Sequence, residues 1–537
     1  MTKQLIAKVA AIAMILATGL LGGNFAFAQN GAINGKVVDA NGEPIIGAAV
    51  VVPGTSTGVT TDLDGNFSIR VASGTTLEIS CIGYVTRRVP ASAGMRIALE
   101  DDAEMLEETV VIGYGVQKKS DLTGAVASVR SDDLKDRSTT DAAAALQGKA
   151  AGIQIINAGA PGAGADIRVR GYSSNSGNIG PLLIVDGLKV DNIQYLDPSM
   201  IESMEVLKDA ASAAIYGAQA GNGVVLITTK TGAANNGTAS ITYNGRFTLQ
   251  SLGKKADIFR AQEYIDYQGY LGNITDAVLS ANKYDGTDTD WYDAVFQPSW
   301  SIQHGITFQG GNNKGHFFAS LNNVNDDGIV VGKKDVYNRL TAQLNADYNL
   351  FKWFNVSTNT SIEKWSRKSV SSGYGSVLNS VVSLDPLTPP YISNIANTPG
   401  GMQEHYAAGD PIPTDPTHNN DFYGTSKYLE EATGNPLFQR DKSDSSSDGI
   451  NIRGTLAANL TPFAGLTFTS RFGYRIAQSS SHSYSEPYWL TSMAQSQNYS
   501  ISANVNTSYY YQWENFVNFN KNFGKHAVGA MAGMSYT

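Results

Sequence analysis

The chain has 537 residues, a formal net charge of −9 and one cysteine, Cys81. Charged residues make up only 16% of it and glycine is enriched, which favours long β-structure with polar turns over a helical bundle or a charged disordered chain. The acidic balance argues against nucleic acid as a partner, because phosphate binding needs clustered Lys and Arg. One cysteine excludes an intrachain disulfide framework and a zinc site built from cysteines.

Residues 1–28 have the layout of a secretory signal peptide. Two lysines precede an apolar run from Val9 to Gly22, and Ala26-Phe27-Ala28 places small residues before a cleavage site. The apolar run is shorter than the ~20 residues that a membrane-spanning helix needs. We therefore expect cleavage after Ala28 and export from the cytoplasm.

Residues 29–100 contain short strands separated by turn signals such as Pro53-Gly54 and Asp64-Gly65. About seven such strands predict a small β-sandwich. The run Asp62-x-Asp64-Gly65-Asn66 has two interpretations, a calcium loop or a hairpin turn. The hairpin turn is favoured, because the closing Glu of an EF-hand loop is missing. Bound calcium stays an open possibility.

Residues 116–234 alternate between helix and strand patterns, which predicts a compact α+β domain. Thr139–Gly148 is rich in alanine and typical of a helix, and Ala210–Tyr216 predicts a short helix that ends at Gly217. The strand-like stretches are Ile167–Arg170, Leu182–Val185, Glu205–Lys208 and Val224–Lys230.

Residues 235–537 show long, regular alternation. In Arg339–Leu350 the even positions are apolar and the odd positions are polar. Strands of ten or more residues with this pattern predict a transmembrane β-barrel, with the apolar side toward lipid and the polar side toward the lumen. The alternative, a soluble sandwich, normally has strands of about 5–6 residues.

A long interruption of this pattern, between Lys364 and Ile450, predicts an extracellular loop. Aromatic residues in the loops either contact a ligand or, as is more common, pack the loops together. These residues are Tyr374, Tyr391, Tyr406, Tyr423 and Trp489.

No catalytic motif is present. The sequence has no H-E-x-x-H and no G-x-S-x-G, and the Gly-rich run Gly159–Gly164 lacks the Lys-Ser/Thr of a phosphate loop. We therefore expect no enzymatic activity, no metal site and no cofactor.

Several motifs follow one another in a fixed order: LEETVVIGYGVQKK at 106–119, IRVRG at 167–171, LIVDG at 183–187, IESMEVLKDA at 201–210, AIYG at 214–217 and NGVVLITTK at 222–230. Together they resemble the plug of SusC-type, RagA-like TonB-dependent transporters. Residues 29–100 resemble the carboxypeptidase-regulatory-like sandwich that often precedes such plugs. The plug residues that the resemblance singles out are Arg168, Arg170, Gly171, Asp186, Gly187, Glu205, Lys208, Asp209, Tyr216, Gly217 and Gly223.

The resemblance implies a mainly β protein with three parts: the sandwich, the α+β plug and the first part of a barrel of about 22 strands. It implies a location in the outer membrane, in contact with lipid, and the uptake of large nutrients, typically oligosaccharides. The implied partners are a SusD-like surface lipoprotein and the TonB–ExbB–ExbD complex, which supplies energy.

A TonB box is expected in residues 101–115. The candidate is Glu108, Thr109, Val110, Val111 and Ile112. An extended, β-branched segment of this kind can be gripped as an added strand at the edge of a partner's sheet. Two alternatives remain: these residues form the first strand of the plug, or the box lies at Asp101–Leu106.

Other functions remain open as well. The cargo is alternatively a peptide or an iron chelate. About nine barrel strands follow Thr238, too few to close around a plug. We therefore expect either the N-terminal portion of a longer transporter or a truncated, non-transporting surface protein. A signalling receptor is less favoured, since no additional periplasmic domain precedes Ile33.

Overall fold

The computed structural model describes residues 32–39, 42–53, 55, 57–81, 84–99, 109–112, 115–118, 126–135, 139, 141–157, 159–172, 179–209, 213–232, 239–370, 376–428, 434–523 and 526–537. The expected signal peptide lies outside these residues. Two compact units are present, one ending near Thr109 and one that contains nearly all of the later chain. Among the described residues, no helix has the length and apolar character needed to cross a bilayer.

The first unit is a β-sandwich, as expected. Its strands are β1 (Ala32–Val38), β2 (Ala49–Val51), β3 (Gly58–Thr60), β4 (Asn66–Arg70), β5 (Thr76–Ser80), β6 (Arg87–Pro90) and β7 (Met95–Ala98). One sheet has the order β4-β1-β7 and the other β3-β2-β5-β6. Alternating residues such as Val37, Val50, Ile69 and Leu77 fill the core between the sheets.

The Asp62–Asn66 run forms a turn closed by the chain itself. One carboxylate oxygen of Asp62 accepts the backbone N–H groups of Asp64 at 3.0 Å and Asn66 at 2.7 Å. Gly65 has φ +76°, and a β-carbon there would lie against the Val37 carbonyl oxygen. This geometry accounts for the Asp and Gly positions through the turn that they form.

A small two-stranded sheet follows, with strands β8 (Thr109–Ile112) and β9 (Gly115–Lys118). The plug region comes next. Its strands are β10 (Val126–Arg130), β11 (Ile153–Asn157), β12 (Ala165–Val169), β13 (Leu182–Val185), β14 (Leu188–Val190), β15 (Ile201–Leu207) and β16 (Val224–Thr229). Five of them form one sheet of order β10-β15-β16-β13-β14, and β11 pairs with β12. Buried residues such as Val129, Leu146 and Met204 pack between the strands and two short helices, α1 (Ser131–Lys135) and α2 (Ala142–Ala145).

Both predicted helices of the plug region differ from the expectation. The alanine-rich helix is limited to α2, because Asp141 caps its N-terminus by accepting the N–H of Ala143 and a turn follows. The second predicted helix begins in residues 210–212, which lie outside the described residues; from there on, a 3₁₀ segment, Ala214–Ala220, is broken at Gly217 and then resumes. Gly217 has φ +67° and ψ −158°, a conformation that is open essentially to glycine alone. The glycine therefore kinks the segment instead of ending it.

The remaining strands are β17 (Ala239–Gln250), β18 (Ser299–Asn312), β19 (Gly315–Asp327), β20 (Val336–Phe351), β21 (Phe354–Lys368), β22 (Tyr391–Ile392), β23 (Thr414–Asp415), β24 (Asp421–Tyr423), β25 (Asp444–Phe463), β26 (Leu466–Ser485), β27 (Tyr488–Trp489), β28 (Gln495–Ser496), β29 (Ser500–Phe523) and β30 (His526–Tyr536). Nine of them, each with 11 to 24 residues, form one antiparallel sheet of order β17-β18-β19-β20-β21-β25-β26-β29-β30. This barrel-like sheet agrees with the predicted strand pattern.

The burial of this sheet is inverted relative to a soluble protein. On β20, Leu340 and Leu344 are 44% and 48% exposed, whereas Thr341 and Asn345 are completely buried. The exposed face is apolar and the covered face is polar along most of the sheet. This is the arrangement expected of strands whose outer face meets lipid.

The connections differ between the two ends of the sheet. At one end, two-residue turns such as 313–314, 352–353 and 464–465 join the strands. At the other end, the segments are longer and fold into a loop layer, which comprises the described residues 251–298, 328–335, 369–370, 376–428, 434–443 and 486–499. Its helices are α3 (Ala261–Tyr270), α4 (Asp276–Ala281), α5 (Trp291–Val295), α6 (Val377–Ser383), α7 (Gly400–Ala408) and α8 (Pro436–Asp441). Short turns on one side and long loops on the other are typical of outer-membrane barrels.

The loop layer has a hydrophobic core of its own. Trp291, Val381 and Leu437 are at most 3% exposed and come from three different helices. Tyr423 is buried there, and Tyr391 and Trp489 pack against the same cluster. These three aromatic residues pack the loops together, and Tyr391 and Tyr423 also line a cleft of the layer. Tyr406 is half exposed, and Tyr374 lies outside the described residues.

Candidate functional site: the seat of the plug on the barrel wall

The Val-Asp-Gly motif forms the tight turn between β13 and β14. Asp186 has φ +49° and Gly187 φ +82°, values typical of a two-residue hairpin turn. The Asp186 carboxylate accepts the backbone N–H of Thr229 at 2.9 Å and its hydroxyl at 2.6 Å. Burial raises the pKa of Asp186 above its ordinary value. The motif therefore ties this hairpin to the end of β16.

The tip of the hairpin meets the polar face of the barrel-like sheet. Gln512 donates its side-chain N–H to the Gly187 carbonyl at 3.0 Å. Beside it, the Arg471 guanidinium pairs with the Glu514 carboxylate at 2.6 Å, and the side chains are 18% and 5% exposed. The buried pair thus forms a polar wall against which the turn rests.

Three alternate residues of β26 face the same plug segment. Arg471 lies against Gly187, Arg475 pairs with the Asp191 carboxylate at 2.8 Å, and Gly473 lies between them. A β-carbon on Gly473 would come within 2.9 Å of Leu188 Cδ1, so the glycine leaves the space that Leu188 occupies. One face of a single strand is thus shaped to the plug segment 187–191.

A third arginine holds the plug from the neighbouring strand, β25. Arg453 lies directly opposite Arg475 in the β25–β26 register. Its guanidinium lies 3.7 Å from the centre of the Tyr195 ring and pairs with the Glu363 carboxylate at 2.6 Å. Cation–π contacts of this kind strengthen when both groups are removed from water, as they are here.

The earlier strands of the sheet contact the plug by hydrogen bonds. Asn345 donates to the Thr229 hydroxyl at 2.7 Å and to the Lys230 carbonyl at 2.8 Å. Three further bonds join the wall to the plug: Arg246 to the Thr139 carbonyl, Gln303 to the Asp197 carboxylate and Arg339 to the Gln194 carbonyl. We call these wall residues, with Arg453, Arg471, Arg475 and Gln512, the plug seat.

The Arg-Val-Arg-Gly motif ends β12. Arg168 pairs with Asp166 at 3.5 Å, and its guanidinium lies 4.4 Å from the centre of the Tyr172 ring. Arg170 has φ +58° and donates its backbone N–H to the Gly152 carbonyl at 2.9 Å. Gly171 has φ +90°. These residues shape the end of a hairpin within the plug.

The other plug residues support the sheet from inside the plug region. Glu205 is buried in the middle of β15, and the Lys208 ammonium donates a hydrogen bond to the Ala151 carbonyl at 3.0 Å. The Asp209 carbonyl accepts the N–H of Ala213, and Tyr216 packs against a small core cluster. Gly223 has φ +88°, and a β-carbon there would lie 3.0 Å from the Leu207 carbonyl oxygen. The structure therefore brings Gly187 to the barrel wall and places these residues in the body of the plug.

The TonB-box candidate is only partly described. Thr109 to Ile112 form strand β8, which pairs with β9, and Glu108 lies outside the described residues. Extended backbone is the conformation that strand addition requires. Within the described part of the chain, no cluster of three metal-ligating side chains is present.

The plug seat is not evident from the sequence. Its members occupy polar positions of the predicted strands. The alternation of polar and apolar residues predicts which face of the sheet a side chain is on, but it does not predict which residue that side chain contacts. Arginine at an inward position, as at Arg453, Arg471 and Arg475, is the one signal that was available. Such a cation needs a partner when covered, and the plug and two wall carboxylates supply it.

The comparisons with known proteins agree with this architecture. The model of the TonB-dependent receptor plug domain matches residues 118–224, and the model of the CarboxypepD_reg-like domain matches residues 33–111. The TonB-dependent receptor SusC of Bacteroides thetaiotaomicron is 38% identical over 392 residues, which cover 71% of this chain and 38% of the relative. The TonB-dependent receptor P39 of Formosa agariphila is 32% identical over 513 residues, covering 94% of this chain and 46% of the relative.

A solved structure shares the fold. The RagAB peptide importer in its open-open state has a TM-score of 0.65 and 25% identity, over 80% of this chain and 48% of that chain. A plug that packs on the polar face of a long-stranded sheet is the architecture of a TonB-dependent receptor. Within that class, the chain belongs to the SusC-like receptors, whose members are transport receptors and not enzymes. It spans less than half the length of the curated relatives that it matches.

Proposed function

We propose that this chain takes part in TonB-dependent import of large nutrients, oligosaccharides above all, across the outer membrane. The observation that carries the proposal is the plug seat. It consists of polar and charged wall side chains that hold a separate α+β region against a sheet whose other face is apolar and exposed. Side chains held by hydrogen bonds and ion pairs can release a plug and take it back, as a gate requires.

The energy for opening comes, in this proposal, from the TonB–ExbB–ExbD complex. The outer membrane has no ATP, so the work arrives as a pull from the periplasm on Glu108–Ile112. Adding these residues as a strand to a partner's sheet provides a main-chain grip. The pull displaces part of the plug, and the plug segments around Gly171–Gly187 and Ala210–Gly223 seal the lumen at rest.

A SusD-like surface lipoprotein is the proposed partner. The proposal is supported by the similarity to SusC and to the RagAB complex. The location follows the family, whose members are outer-membrane β-barrel proteins, and export depends on the signal peptide expected in residues 1–28.

Peptide is the second candidate cargo. The observation in its favour is the structural similarity to a complex that is described as a peptide importer. Feeding labelled oligosaccharides and labelled peptides of matched length to energised cells separates the two candidates. Uptake of an iron chelate in place of both would contradict either assignment.

The test of the proposed function uses two deletions in cells that carry the gene. Removal of Glu108–Ile112 is expected to abolish uptake of labelled cargo while surface binding persists. Removal of Asp101–Leu106 is the matched control of similar length, and it is expected to leave uptake in place. The reverse outcome would move the box upstream, and normal uptake by both variants would contradict the TonB mechanism.

A further inference from the structure

The loop layer contains a cleft of about 1090 Å³ that the plug seat does not involve. Its walls come from loop residues 331–334, 390–391 and 411–418, from the end of α8 and from the β26–β27 connection. Ligand sites of proteins commonly have volumes of about 300–1,000 Å³. The cleft is therefore large enough for an oligomeric ligand.

The floor of the cleft is a rigid polar network. Arg440 is buried and pairs with Asp415 at 3.5 Å and with Asp441. The Tyr391 hydroxyl donates to Asp415 at 2.6 Å, and the Tyr423 hydroxyl donates to Asp441 at 2.9 Å. The charged groups of the network are thus paired with one another. The floor of the cleft is already ordered before a ligand binds, which lowers the entropic cost of binding.

Flat rings lie along the wall. The Tyr391 ring stacks on the His418 imidazole with 4.1 Å between centroids, and the His418 side chain is 54% exposed. Tyr484 also lines the cleft and is 39% exposed. Planar faces of this kind suit the C–H faces of sugar rings, which carry hydroxyl groups at their edges.

One lining cation is left without a counter-charge. Lys442 is partly buried, and burial alone lowers the pKa of its ammonium. No ion pair or side-chain hydrogen bond of Lys442 is found among the described residues. The nearby anions are engaged elsewhere: Asp441 with Arg440 and Lys334, and Glu486 with the Tyr484 hydroxyl. Asp444 lies at the exposed rim.

The composition of segment 411–416 argues against an extended peptide as the ligand of the cleft. It contains the edge strand β23, which a peptide would extend by main-chain hydrogen bonds. Pro411, Pro413 and Pro416 have no N–H, so three of the six residues cannot donate. A ligand bound through side chains and ring faces fits this wall better.

We propose that the cleft binds an acidic oligosaccharide, with a sugar carboxylate paired with Lys442 and sugar rings against the Tyr391–His418 stack. The inference rests on the proposed function for the route of the cargo into the cell. Binding at the cleft itself needs neither TonB nor plug movement.

The test is isothermal titration of the purified full chain in detergent. The probes are tetragalacturonate, its methyl ester and the neutral maltotetraose. Lys442→Met keeps the aliphatic stem and removes the charge. The substitution is expected to weaken tetragalacturonate binding about tenfold and to leave the affinity for the methyl ester unchanged. Only the acid carries the carboxylate that forms a charge-assisted bond with the lysine. Lys254→Met removes an exposed lysine of the same layer, away from the cleft, and is expected to have no effect.

Four results would overturn the inference. They are equal affinity for the acid and its ester, an equal loss for both ligands in Lys442→Met, binding of tetraglutamate as tight as that of tetragalacturonate, and no saturable binding. The thermal transition of each variant checks that it folds. Binding without uptake in cells would contradict the proposed function alone, and uptake without binding at the cleft would contradict this inference alone.

Discussion

The Arg471 guanidinium occupies the space in which a β-carbon of Gly187 would lie. Glycine is needed at position 187 for two reasons. A β-carbon would clash with Arg471, and the backbone φ of +82° is unfavourable for other residues. A plug turn and a barrel side chain, 284 positions apart, are thus fitted to each other. This relationship makes the seating of the plug testable by single substitutions.

Gly187→Ala is expected to loosen the plug. Backbone strain costs about 1–2 kcal/mol, and displacement of Arg471 adds about 1–3 kcal/mol. Gly171→Ala is the matched control, since Gly171 has φ +90° but no atom within 4 Å of its β-carbon position. The thermal transition and trypsin sensitivity of the purified chain measure both effects. Equal losses in the two variants would contradict a contact between the turn and the wall.

Leu344→Arg is expected to block membrane assembly of the full-length protein. Leu344 is on the exposed apolar face, and a charge near the bilayer midplane costs about 2–4 kcal/mol. Gln343→Arg, its neighbour on the polar face, is expected to assemble with a smaller loss. That loss arises from crowding, because Gln343 is only 6% exposed beneath the plug. Extraction of outer membranes with urea compares the two, and equal defects would refute the facing of the strands.

Arg440→Met is expected to destabilise the loop layer by about 3–5 kcal/mol, because it leaves the Asp415 carboxylate without its cation and the Asp441 carboxylate with Lys334 alone. Arg260→Met removes the exposed ion pairs with Asp288 and Asp290 and is expected to cost less than about 1 kcal/mol. The rate at which a protease cleaves the loops of each folded variant measures the difference in stability. Similar cleavage of both variants would show that the Arg440 network is dispensable.

Asp335, in the loop before β20, is expected to make stability depend on pH. Burial, with repulsion from Asp327 and Asp326, raises its pKa to about 6. Because the pKa is raised from its ordinary value of 3.8, stability falls as the pH rises from about 4 to about 6, and the full cost of the buried charge is present above pH 6. We expect a higher melting temperature at pH 5 than at pH 7.5. Asp335→Asn should reduce this difference, and an unchanged difference in the variant would contradict the assignment.

The strand pattern was readable because it is local. Alternation in Arg339–Leu350 predicts both the strand and its lipid face, and Leu182–Val185 has the bounds that were predicted. The fold of the loop layer was missed. Val377 and Val381 have helical spacing, but the surrounding Gly, Asn and Pro obscure a core that assembles from distant segments.

The plug seat was missed for a related physical reason. Asn345 and Lys230 are 115 positions apart, and no periodicity within either segment specifies that they meet. Gly217 was recognised as a breaker, yet its effect depends on the tertiary structure, which continues the helical turn after the kink. The position of the TonB box stays a prediction.

The most direct test of the central claim is to purify this protein from outer-membrane extracts of its source cells and identify what copurifies. We expect the protein to fractionate with the outer membrane and to bring a surface lipoprotein with it. Recovery in the soluble fraction, with no lipoprotein bound, would contradict the assignment as a working importer.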